Sequence, residues 1–136
     1  MRPYRTNLRE VPHVGGLSPK EGWINMQVQF LIDQKSADSD KLVLGWTVLP
    51  PGARHERHRH FHAEEFLLVL KGHGAIYTDE GDELASEGDV VFTPRGHWHG
   101  FNNTSDQEVI LVWGWSGAGS LESAGYEVAH GEAHSH

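Results

Sequence analysis

The chain has 136 residues, room for one folded core and too little for two independent ones. With 38% hydrophobic and 22% charged residues, 16 Gly and 6 Pro, it reads as globular and turn-rich, not disordered or fibrous. Nineteen acidic against eleven basic residues give a formal charge of −8, which argues against nucleic acid and anionic membranes as partners, and the lack of cysteine excludes disulfides, thiolate metal sites and a cysteine nucleophile.

Residues 1–22 carry Arg2, Arg5 and Arg9 without the apolar run of a secretory signal, and Pro3, Pro12 and Pro19 suggest an extended arm packed on its own barrel or a partner's. No stretch is long and apolar enough to span a bilayer, so a cytoplasmic protein is expected. From Trp23 the pattern changes: Ile24, Met26, Val28, Phe30 and Ile32 alternate with Asn25, Gln27, Gln29 and Leu31, the period of a strand with one buried face. Asp33 to Lys41 is polar and loop-like, and Leu42–Leu49 is a second strand that stops at Pro50-Pro51-Gly52. Further strands are predicted at His55–His60, Glu65–Leu70, Ala75–Thr78, Val90–Thr93, His97–Asn102 and Val109–Trp115, with turns at Asp79-Glu80-Gly81-Asp82 and Pro94-Arg95-Gly96. Many short, evenly spaced strands point to an all-β sandwich or barrel over 23–116. In the extension 117–136, Ser120 is placed to cap one helical turn ending at Gly125, and the end with His130, His134 and His136 is expected to be a mobile tail.

His58 and His60, two apart on one predicted strand, project from the same face. Glu65 lies at an odd offset and joins them only if the chain bends through residues 61–64, as chains do at barrel corners. His99 follows its own turn and begins another strand. Glu64 is the alternative carboxylate. His62 and His97 share parity with ligand candidates and are candidates for a fifth ligand, a hydrogen-bonded support or a proton shuttle; Tyr77 is a further catalytic candidate. His13, His55 and His73 are expected at the surface, and Arg54, Arg57 and Arg59 on a solvated face. Trp46, Trp98, Trp113, Trp115, Phe92, Phe101 and Tyr77 lie on or near barrel strands, where some must line the interior that core and ligand share.

Gly52, five residues, His58-Arg59-His60, four residues, Glu65, six residues and Gly72 resembles the first motif of the cupin superfamily. Gly88, five residues, Pro94-Arg95-Gly96, two residues, His99, three residues and Asn103 resembles the second, and the fifteen-residue spacer is similar to that of microbial single-domain cupins. The resemblance implies a double-stranded β-helix, or jelly-roll barrel, with His58, His60, Glu65 and His99 holding one divalent ion. Three imidazoles and a carboxylate suit Fe, Mn, Zn, Ni, Co or Cu and leave a divalent site with charge +1, matched to an anionic oxygen ligand. The expected partner is a small molecule, and an uncovered sheet edge with an N-terminal arm suggests a homodimer. The leading expectation is a mononuclear non-haem dioxygenase acting on an enolic, diketone or aromatic chelator; the alternatives are a non-redox isomerase, lyase or polyketide-type cyclase working through an enolate, and a non-catalytic ligand-binding protein.

Overall fold

In the computed structural model, which describes residues 2–14 and 21–129, two antiparallel sheets face one another. The expected continuous first strand is broken: Asn25 takes a positive φ of 59°, separating β1 (Trp23–Ile24) from β2 (Gln27–Ile32) so that each half joins a different sheet. Asparagine is among the few non-glycine residues that enter this conformation readily. One turn of helix, α1 (Gln34–Ala37), is capped by Asp33 and Ser36 and occupies part of the stretch read as loop. Next come β3 (Leu42–Leu49), β4 (Arg54–Arg59), β5 (Glu64–Lys71), β6 (His73–Thr78), β7 (Gly81–Ser86), β8 (Val90–Thr93), β9 (His99–Asn102) and β10 (Val109–Ser116). Helix α2 (Leu121–Ala124), capped by Ser120, and β11 (Glu127–Val128) follow.

Strands β1-β4-β9-β6-β7 form one sheet, in which β11 also pairs with β4; β2-β3-β10-β5-β8 form the other. Strand β3 alternates, with Val43, Gly45, Thr47 and Leu49 buried and their neighbours more exposed. Strand β10 opposes it, and Trp113 lies across Gly45: a Cβ there would come within 2.1 Å of the indole, so only glycine leaves room for the ring. Val28, Val43, Leu49, Val69, Val109 and Leu111 are buried between the sheets. The alternation predicted for β2 fails at Gln29, which is buried and donates its side-chain amide to the carbonyls of Leu8 and Val11 at 2.8 and 2.7 Å. Those bonds, with Val14 N–H to the Val28 carbonyl at 2.9 Å, bind the N-terminal arm to its own barrel. The histidines expected in a C-terminal tail, His130, His134 and His136, lie outside the described residues. No helix among the described residues is long and apolar enough to cross a membrane.

Candidate metal centre

Strand β4 and the residue just past its end deliver two imidazoles to the interior, with His58 1% and His60 2% exposed. The chain then turns through residues 61–63 and re-enters as β5 with Glu65 facing inward, so the odd offset is absorbed by this corner. Across β4, His58 pairs with His99 at the start of β9, where the turn at residues 94–96 ends. One ligand atom from each of His58, His60, His99 and Glu65 lies within 4.8 Å of the others, a cluster that could hold one metal ion. Two metal–ligand bonds of about 2.0–2.2 Å span a similar distance.

Hydrogen bonding decides which imidazole nitrogens are available. His58 Nδ1 donates to the Glu56 carbonyl at 2.7 Å, His60 Nδ1 to the Gly125 carbonyl at 2.8 Å and His99 Nδ1 to the His97 carbonyl at 3.2 Å. A carbonyl only accepts, so each Nδ1 carries the proton and each Nε2 presents its lone pair. All three Nε2 atoms are buried without a hydrogen-bond partner. Buried polar atoms left without partners are costly, and three converging beside a carboxylate are accounted for by a cation. Glu65 is fixed by Trp115, whose Nε1–H donates to Oε1 at 2.7 Å, while Oε2 lies 3.1 Å from His99 Nε2. Burial opposes the charge on Glu65, but His99 and His60 outweigh it and hold the carboxyl well below its ordinary range. His58 is driven well below its usual value by burial, then by its histidine neighbours, so it stays neutral; burial likewise opposes charge on His99, but Glu65 raises it.

The remaining candidates fall in different places. His97 sits at the cavity mouth, more than half exposed, with Nδ1 hydrogen-bonded to Asp79 Oδ2; Asp79 also accepts from the Trp98 backbone N–H at 2.9 Å. It precedes β9, so strand parity does not turn it inward. The His97 bond, then the Trp98 N–H, hold Asp79 below its ordinary value. Tyr77 lines the cavity, and burial, with Glu56 and Asp82 nearby, raises its pKa. His62 and Glu64 are exposed and outside the cavity, because the corner after His60 resets which residues face in.

His55, expected at the surface, lines the cavity and stacks on His58 with centroids 3.6 Å apart and planes 13° from parallel. The cause is a β-bulge: His55 pairs with Phe101 and His58 with His99, so three steps on β4 match two on β9 and His55 shares a face with His58. Burial drives its pKa down to about 3. Tyr126 is a second residue the sequence reading missed. Its hydroxyl donates to the Glu21 carbonyl and lies 3.2 Å from His55 Nε2, and its ring packs 5.3 Å from His58. His13 and His73 are exposed, and Arg54, Arg57 and Arg59 each pair with a carboxylate: Glu56, Asp82 and Glu127.

The cluster heads a cavity of about 190 Å³ whose walls include Trp113, Trp115, Phe30, Leu67, Val91 and Leu111. Phe30 meets Trp113 edge to face at 5.4 Å, and Trp113 Nε1–H donates to Thr47 Oγ1 at 2.7 Å, leaving an apolar face toward the interior. Of the aromatics predicted on barrel strands, Trp46 is absent from this wall. No lysine or arginine lines the cavity among the described residues.

A double-layered β-barrel with a histidine–carboxylate cluster that could hold a metal ion has the architecture of the cupin type. Residues 45–115, just over half of the chain, match the cupin domain family (Cupin_2), and the chain belongs to that family. It is 35% identical over 97 residues to 1-hydroxy-2-naphthoate 1,2-dioxygenase of Nocardioides sp. strain KP7, covering 70% of this chain but 24% of that protein. It also covers less than half the length of other curated relatives. It is 25% identical over 87 residues to an oxalate-binding protein of Thermotoga maritima, covering 64% of this chain and 72% of the relative. Among solved structures, the polyketide cyclase RemF of Streptomyces resistomycificus superposes with a TM-score of 0.72 at 24% identity, over 83% of this chain and 78% of that one.

Proposed function

We propose that this protein is a metal-dependent enzyme that oxidises a small chelating substrate, enolic or aromatic, with dioxygen. The observation that carries the reading is the convergence of three unpartnered Nε2 atoms and an ionised carboxylate at the head of an apolar, aromatic-walled cavity. His58, His60, Glu65 and His99 would hold the ion. When bound, a divalent ion there would supply Lewis acidity toward a chelating oxygen and, if redox-active, a route for dioxygen to react.

The chain's own residues set the substrate. A cavity of about 150 Å³ accommodates benzene, so the 190 Å³ here suits one or two fused rings. Trp113, Trp115 and Phe30 offer ring faces and exclude water. Because no lysine or arginine among the described residues lines the wall, one anionic head is matched by the ion and a second charge would be buried without a permanent cation beside it. A hydroxyaryl carboxylate therefore fits, in keeping with the dioxygenase relative, whereas oxalate or a phosphosugar does not use the wall. His97, anchored by Asp79 at the mouth, is the side chain best placed to pass a proton to or from a substrate entering there.

Protein loaded with Fe(II) and supplied with 1-hydroxy-2-naphthoate should consume oxygen, and His60→Ala should abolish the uptake. Turnover of an enolic substrate without oxygen would replace this reading with non-redox enolate chemistry. Saturable binding without turnover in air would reduce the protein to a ligand carrier.

A further inference from the structure

The ligand-bearing strand is gripped from behind by a segment about sixty residues further along the chain. After α2, Gly125 turns with φ +78° and ψ 154° and offers its carbonyl to His60 Nδ1 at 2.8 Å. The preceding carbonyl, of Ala124, accepts the His62 N–H at 2.9 Å, and β11 pairs with β4 through Glu127 with Arg59 and Val128 with His58. Ala129 N–H bonds to the Arg57 carbonyl at 2.8 Å. Between these anchors Tyr126 lays its ring 5.3 Å from His58 and 5.9 Å from His60 and, with its hydroxyl proton committed to the Glu21 carbonyl, its oxygen accepts the Nε2–H of His55 at 3.2 Å.

We infer that residues 121–129 form a clasp on the metal centre, with Gly125 and Tyr126 as positioning residues that hold His60 in its Nδ1-protonated tautomer and fix the ring planes of His58 and His60. An outer partner of this kind sets ligand orientation and basicity, and its loss typically costs about 10- to 100-fold in metal affinity. Strength of metal binding is then set by a segment outside both sequence motifs. The inference rests on the four side chains being metal ligands, but half of its test needs no metal.

That half is an imidazole ¹H–¹⁵N correlation spectrum of the metal-free full-length protein, which reads the tautomer of each ring. Wild type should show His60 with Nδ1 protonated and Nε2 bare. In Gly125→Ala an L-residue cannot hold that backbone conformation, and its Cβ would stand 3.2 Å from Phe61 Cδ2, so the carbonyl must swing away and the His60 signal should shift to mixed tautomers. Zn(II) affinity, measured by competition with a chromophoric chelator, should fall about 10- to 100-fold in Gly125→Ala and about tenfold in Tyr126→Ala, which leaves the Gly125 backbone free to fold normally. Glu122→Ala, an exposed change in the same segment, should stay within about twofold of wild type. Wild-type tautomer and wild-type affinity in both clasp variants would overturn the inference. If wild-type protein takes up no Zn(II), the metal reading fails by itself, and the clasp stands or falls on the spectra.

Discussion

Strand β4 carries two opposed chemistries on a handful of residues. Its inward side presents His55, His58 and, just past its end, His60, rings packed against one another and against Tyr126. Its outward side presents Arg57 and Arg59, each paired with a carboxylate and each lying over an aromatic ring, Tyr77 for the first and Trp98 and Phe61 for the second. Both outward guanidiniums meet a carboxylate, although Arg57 Nε itself is buried without a partner, while on the inward side three Nε2 atoms are left open together. What sets the inward atoms apart is that they converge beside one carboxylate in a cluster that could hold a metal ion, and buried acceptors are rarely left unpaired without use.

The harshest way to test that division is to remove an inward ring. His58→Ala or His99→Ala should lose most of the bound metal, measured by elemental analysis after equilibration with one equivalent of Zn(II), while far-ultraviolet circular dichroism still reports the barrel. Retention of stoichiometric metal would mean that the open Nε2 atoms are not ligands. A gentler change keeps all four ligands and removes one support: Trp115→Phe deletes the N–H that holds Glu65 Oε1 and retains most of the ring. Zn(II) affinity should weaken by about tenfold, near the lower end of the usual cost for an outer partner. The absorption spectrum of the Co(II)-loaded protein should change with it as the carboxylate is freed to reorient.

Proton competition sharpens the same contrast. His55 falls from 6.5 to about 3 on folding and His58 is also lowered, so between those limits the unfolded chain binds protons that the folded chain refuses. Their contribution is fully present above pH 6.5 and drains away as the pH falls; Glu65, lowered from 4.5, adds to the acid loss. His99 runs the other way, raised by Glu65 above 6.5, so its contribution is present in acid and lost as the pH rises through its folded value. Metal-free protein should therefore melt highest slightly above neutrality's acid side, near pH 6.5, with declines on both sides in a melting series. Excess Zn(II), which binds the deprotonated site, should turn the alkaline decline into a gain. A flat profile between pH 4 and 6.5 in the metal-free protein would show that the inward rings are more solvated than their packing implies.

Much of this was legible before any coordinates, and what was missed has identifiable causes. The four clustered side chains announce themselves because motif spacing encodes the corner after His60 and the turn before His99. The extents of β3 and β10 are equally plain, each an apolar run bounded by turn residues or a change of composition. His55 was hidden because a bulge inserts one residue into β4 and reverses its parity, which no periodic reading detects. Strand β7 went unread because it lies mostly exposed, with Asp82 and Glu83 where an alternating apolar pattern would be sought. The clasp was hidden for a different reason: its contact with His60 is a backbone carbonyl, a group every residue has, in a stretch of glycine, serine and alanine that carries no pattern. The break at Asn25 depended on the tolerance of one residue for positive φ, visible afterwards but not compelling in advance.

The mildest perturbation belongs to the outward side. Arg57 Nη2 meets Asp82 Oδ1 at 3.0 Å, with side chains 33% and 54% exposed, and such solvated pairs contribute no more than about 1 kcal/mol. Arg57→Ala, Asp82→Ala and the double variant should give a coupling energy below about 1 kcal/mol in urea unfolding, shrinking further as salt is added. Zn(II) affinity should stay within about twofold of wild type in all three, since the pair touches no ligand and the Arg57 carbonyl that anchors Ala129 survives the substitution. A tenfold loss of metal in Arg57→Ala would connect the two faces, and the natural conduit would be Tyr77, which the guanidinium covers at 5.4 Å on one side while the ring lines the cavity on the other.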